Sequence, residues 1–146
     1  MKLDFDKIIR LKKIRAEKSA LSGEENALTS PILEDKRLIR EIHKTFVEIQ
    51  GERGCPPNIG SVTQRKKFIF IILYLFSPSS LAGGKMPAGL REEMARVLGV
   101  QSKSTISDNC ADVVFLYQHY GDFSGDIRHL YAEILRRLRL RGLLAP

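Results

Sequence analysis

The sequence predicts an all-α protein: a helical bundle with a C-terminal helix-turn-helix and an N-terminal helical hairpin or arm. Three observations carry this expectation. Apolar residues recur at helical spacing through 31–50, 102–120 and 122–140. Gly99 and the serines at 102 and 104 punctuate the chain as a helix stop followed by a helix start. The run 68–76, FIFIILYLF, suits a buried strand as well as a helix, but no second convincing strand exists to pair with it. A lone strand would leave its backbone groups unsatisfied, so the run is assigned to a helix.

In chain order, 1–19 reads as a basic, loosely amphipathic helix that Asp4 or Asp6 can cap. Phe5, Ile8 and Ile9 begin an apolar stripe that Leu11 and Ile14 broaden, and Lys7, Arg10, Lys12, Lys13, Arg15 and Lys18 fill most other positions. Two readings stand: a helix docked on the body with a solvated outer face, or an arm for dimerisation or phosphate binding. Residues 21–30 form a polar connection, and Thr29-Ser30-Pro31 announces the next helix. That helix spans 31–50, with Ile32, Leu38, Ile39, Ile42, Phe46 and Ile49 on its buried face and His43 beside it in a structural role. The glycines and prolines of 51–58 break it. They divide an N-terminal hairpin, 1–57, from a second region, 58–146, although one compact domain is the default at this length.

The second region opens on Gln64-Arg65-Lys66-Lys67 and the apolar helix; Ser77-Pro78-Ser79-Ser80 ends that helix, and 82–85 is a flexible link. A helix over 87–98 follows, with Pro87 in its first turn, Glu92 and Glu93 early, and Leu90, Met94, Val97 and Leu98 at helical spacing. Gly99 supplies a left-handed turn. A single helix over 102–120 then carries Ile106, Cys110, Val113, Val114 and Tyr117 on one side. Small Ala95 at the crossing, Gly99 in the turn and Ile106 as an anchor are what a helix-turn-helix requires. A final helix starts at Asp122 or Ser124 and runs to Leu140 on Ile127, Leu130, Tyr131, Ile134, Leu135 and Leu138. Arg136, Arg137, Arg139 and Arg141 near its end suit either the helix dipole or phosphate.

Four residues, Gln101 to Ser104, separate Val100 from the Thr105-Ile106 pair, one more than the commonest helix-turn-helix spacing. With the basic segment, the apolar helix after it and Ser104-Thr105-Ile106 standing for a threonine pair, residues 64–138 resemble the C-terminal DNA-binding domain of the bacterial replication initiator DnaA, in the Trp-repressor-like group. Gln101-Ser102-Lys103 stands where that family carries Arg-Asp-His, and the chain has no GxxxxGK[ST] motif for an ATPase module.

The net charge of +7 and a pI near 9.6 favour a polyanionic partner. Cys55 and Cys110 are far apart and outside any CxxC, which points to reduced thiols in a cytoplasmic protein. No apolar run approaches the roughly 20 residues of a membrane span. Neither a metal ligand set nor a nucleophile with a base is legible: Asp108, Asp112, Asp122 and Asp126 read as helix-start, turn and cap residues, and Tyr117, Tyr120, Tyr131, His119 and His129 as core-edge packing. The expectation is therefore a non-enzymatic, cofactor-free protein of transcription or replication, of mobile-element type. It would bind double-stranded DNA and could form a homodimer through its N-terminal helices. Lys103, Ser104, Thr105, Ser107 and Asn109 would open the recognition helix, and Arg65, Lys66 and Lys67 would hold phosphates. The rival expectation is a helical protein-interaction adaptor, favoured by Asp108 and Asp112 on that same recognition helix.

Overall fold

The computed structural model describes residues 4–54 and 61–145, apart from the side chain of Lys103. Among these residues there are eight helical segments, one of them a single turn, and no strand. The chain divides into two units, 1–30 and 31–146. The expected boundary at 57/58 and Cys55 lie outside the described residues.

The first unit is one helix, α1 (Asp6–Thr29), with no buried residue. It runs ten residues beyond the expected end at 19. Gly23 does not break it, because its neighbours Glu24, Glu25, Ala27 and Leu28 include strong helix formers. Its end has a definite cause: the Thr29 and Ser30 hydroxyls donate to the carbonyls of Glu25 and Asn26 at 2.9 and 3.1 Å, and Pro31 disfavours helical geometry at Ser30. At the other end, the Asp6 amide donates to Asp4 Oδ1.

The second unit is built around α3 (Val62–Phe76), whose N-cap Ser61 accepts from the Gln64 amide. Phe68, Ile69, Ile71, Ile72, Leu73 and Leu75 are all but completely buried. A helix apolar on most sides must be wrapped on most sides. α2 (Leu38–Glu52), α6 (Lys103–Cys110), α7 (Val113–His119) and α8 (Gly121–Leu140) pack around it, and α5 (Leu90–Leu98) packs on α2 and α6. Ile39, Ile42, Phe46 and Ile49 of α2 meet Ile127, Leu130, Ile134 and Leu138 of α8 in the same core.

Three boundaries depart from the sequence expectation. α2 begins at Leu38 rather than 31, because Asp35 binds the Arg37 amide and guanidinium and so holds the preceding turn. Ser77-Pro78-Ser79-Ser80 does not simply end α3. Pro78 starts a one-turn helix, α4 (Pro78–Leu81), and Leu81 packs on the core. The single helix expected over 102–120 is two, broken at Ala111-Asp112. Ser107, Asp108, Asn109 and Asp112 are all weak helix formers whose side chains compete for backbone groups. Asp112 also receives Lys66 Nζ at 2.8 Å.

Candidate nucleic-acid interface

The turn between α5 and α6 is built from glycine geometry. Gly99 sits at φ 70°, ψ 23°, its amide donates to Arg96 O, and the Val100 amide reaches back to Ala95 O at 3.1 Å. This pair of bonds is the Schellman arrangement, which satisfies the last carbonyls of a helix while turning the chain. Ser102 then caps α6, its hydroxyl accepting from the Ser104 amide at 3.2 Å. Ile106 is wholly buried in the same core as Leu90, Met94 and Ala95 of α5, and α5 and α6 pack on each other. The start of α5 needs a second left-handed glycine: Gly89 has φ 85°, and Lys36 Nζ donates to the neighbouring Ala88 O at 2.8 Å.

The expected recognition residues divide by burial. Lys103 opens α6 and Ser104 is exposed. Thr105 and Ser107 are half-buried. Asn109 is only 6% exposed, so its amide serves the interior of the fold and does not offer itself to a base edge. The exposed positions of α6 after Ser104 are Asp108, and then Ala111 just past its end.

The basic triplet at the start of α3 does not form one surface. Lys66 Nζ pairs with Asp112 at 2.8 Å, and Lys67 Nζ pairs with Asp126 at 2.7 Å with its side chain 10% exposed. Arg65 is half-buried, and its Nε lies buried without a protein partner. Successive helix residues are ~100° apart, so consecutive cations point in different directions, Lys66 to Asp112 and Lys67 to Asp126. Burial pushes the Asp126 carboxyl up, but Lys67 and Arg53 outweigh it and hold it below the ordinary range. Asp126 and Lys67 also line a cavity of about 440 Å³ with Thr63, Tyr120 and Asp122.

Three of the four C-terminal arginines are likewise engaged. Arg137 binds Glu52 and Glu133, Arg136 binds Glu133, and Arg141 binds Glu48 at 2.7 Å. Bonds from Arg136 and Arg137 hold the Glu133 carboxyl down at about 2. These contacts fasten the end of α8 to α2.

A different cationic cluster stands beside the α5–α6 pair. Lys36, Arg37, Arg40 and Arg96, with Glu41 and Glu93, line a cavity of about 440 Å³ where α2 packs on α5. Arg37 is held by Asp35 and Arg96 by Glu93, while the exposed Arg40 has no acidic partner among the described residues. This cluster is only partly legible in the sequence. Arg37 and Arg40 lie three apart and share a helix face, which is a local signal. Arg96 joins them only through helix packing, which no local pattern foretells.

Cys110 is half-buried, and burial pushes its thiol up to about 11, which suits packing rather than nucleophilic chemistry. Among the described residues no cluster of His, Cys, Asp and Glu is arranged to hold a metal. Among the described residues no helix is long and apolar enough to cross a membrane. Compared with protein-family models, curated proteins and solved structures, the chain matches none.

Proposed function

We propose that residues 31–146 bind duplex DNA through the α5–α6 pair, in a regulatory or replication role, as the resemblance to the replication initiator's DNA-binding domain implies. The observation that carries this reading is the Gly99 turn. It joins α5 to α6, which pack on each other, with Ile106 buried in the core and Ser104 at the start of α6 exposed. An exposed helix start after a tight turn supports this reading, because a recognition helix enters the major groove with its N-terminal residues towards the bases. In this reading the 103–105 end of α6 enters the groove, and the phosphate contacts come from Lys36, Arg37, Arg40 and Arg96, whose ion-paired members Arg37 and Arg96 remain 91% and 66% exposed, rather than from Lys66 and Lys67, whose side chains are 18% and 10% exposed within their ion pairs. Titration of a random-sequence duplex at rising salt tests it: binding should weaken steeply as counterion release loses its advantage. Absence of binding at low salt would overturn it.

A second reading rests on α1. A 24-residue helix with no buried residue exposes Phe5, Ile8, Ile9, Leu11, Ile14, Leu21 and Leu28. Ile14, Leu21 and Leu28 are seven apart, the repeat by which one helix face meets another. This supports a role for α1 in self-association or in holding a protein partner, as an arm of a DNA-binding dimer or of an adaptor.

A further inference from the structure

An aromatic groove opens where α3, α7 and α8 meet. Phe70 and Tyr117 form one wall, stacked at 4.9 Å and 11° between rings. Tyr74 and Tyr131 form the other, edge to face at 5.3 Å. Ile127, 3% exposed, lies at the bottom, and Arg128 stands over the Tyr117 ring with its Nε donating to the Tyr117 hydroxyl at 3.2 Å. The groove is not sealed core: Tyr74 is 44% exposed and Arg128 is exposed.

Its size limits what it can hold. At about 270 Å³ it falls below the ~300–1,000 Å³ of ordinary small-molecule and cofactor sites, so it takes a single ring and not a dinucleotide or a haem. Its composition is that of a protein-binding hot spot, in which tyrosine and arginine dominate. Its charge specifies more. Arg128 has no carboxylate partner among the described residues, and the groove's phenols are donors. Burial, with Tyr74 nearby, holds the Tyr131 phenol above its ordinary value.

We infer that this groove binds a protein segment presenting an aromatic side chain next to a carboxylate, the ring entering between the two aromatic pairs and the carboxylate meeting Arg128. The inference is independent of DNA binding, since none of these residues lines the α2–α5 cluster or belongs to α6.

The chain has no tryptophan, so the indole of a probe peptide can be followed selectively. The probe is the capped tetrapeptide Ala-Asp-Trp-Ala, titrated with the full chain and followed by indole emission and anisotropy. Saturable binding with a blue shift is expected. Ala-Asn-Trp-Ala should bind about tenfold more weakly, as loss of one charge-assisted hydrogen bond implies. Arg128→Gln should weaken the aspartate peptide by the same factor and leave the asparagine peptide unchanged. Tyr74→Ala should weaken both. Arg128 and Tyr74 are exposed, and circular dichroism verifies that each variant is folded; the Arg128→Gln comparison suffices if Tyr74→Ala is not. Absence of saturable binding, equal binding of the two peptides, or equal binding to wild type and Arg128→Gln overturns the inference. So does N-acetyl-tryptophanamide binding as tightly as the aspartate peptide, because the groove would then read the ring alone.

Discussion

Lys67 on α3 donates to Asp126 on α8 at 2.7 Å, and Arg53, just past the end of α2, holds the other oxygen of the same carboxylate at 2.8 Å. Arg53 also donates to Gln50, whose amide donates to Gln64 at 2.6 Å inside the core. One acidic side chain therefore joins three helices through a connected polar network. Such a network rigidifies a fold only while every member is paired. Asp126→Asn leaves Lys67 and Arg53 without their anion and should cost roughly 1–3 kcal/mol, the usual range for a hydrogen bond to a charged group. Urea unfolding checks this; an unchanged midpoint would show that Asp126 does not organise the three helices.

The same carboxylate sets a pH dependence. Its folded pKa lies below its ordinary value, so the unfolded chain takes up the proton first as pH falls. The contribution is complete well above about 3.9, the ordinary aspartate value. It is lost as pH drops from there through the lowered folded value. The wild type should lose stability over that acid window more steeply than Asp126→Asn, measured by thermal melts at fixed ionic strength. Parallel acid profiles would remove Asp126 from the account.

Gly99 is the second point of test. Apart from its chain neighbours, no described residue comes within 4 Å of where its Cβ would be, so the cost of a side chain there is conformational, arising from φ 70°. Gly99→Val should destabilise by about 1–2 kcal/mol, and Gly99→Asn by less, because asparagine tolerates the left-handed region. Equal midpoints for valine and glycine would mean that the α5–α6 turn has another geometry.

The sequence was most legible where one residue type decides local geometry. Gly99 and Ser102 announced the turn and the cap, and the buried faces of α2 and α8 followed from helical spacing. The apolar run 68–76, with no second strand to pair with, lies in α3 as exclusion of a lone strand predicts. What stayed hidden depends on packing. Arg65, Lys66 and Lys67 looked like one basic patch, yet their acidic partners lie 46 and 59 residues away for Lys66 and Lys67. The Lys36–Arg40 and Arg96 cluster and the groove around Tyr117 and Tyr131 exist only because distant helices meet. The break at Ala111-Asp112 was locally visible in the run of Ser, Asp and Asn, but apolar spacing through Val113 and Tyr117 outweighed it.

Self-association through α1 makes a separate prediction. Sedimentation velocity of the full chain should show a dimer that Ile14→Ser with Leu21→Ser converts to monomer, with helicity of the rest retained. A wild type that remains monomeric at tens of micromolar would contradict the dimer and leave α1 to a different partner.

The proposed DNA interface is tested most directly by salt slopes on a random duplex, comparing wild type with Arg40→Gln/Arg96→Gln and with Lys66→Gln. Each phosphate contact contributes about 0.9 to the slope of log K against log salt. The Arg40/Arg96 variant should therefore lose between one and two units of slope, while Lys66→Gln should keep the wild-type slope because the Lys66 side chain is mostly buried in its pair with Asp112, whereas Arg96 stays exposed beside Glu93. A wild-type slope retained by the Arg40/Arg96 variant, or lost on Lys66→Gln, would contradict the proposed interface.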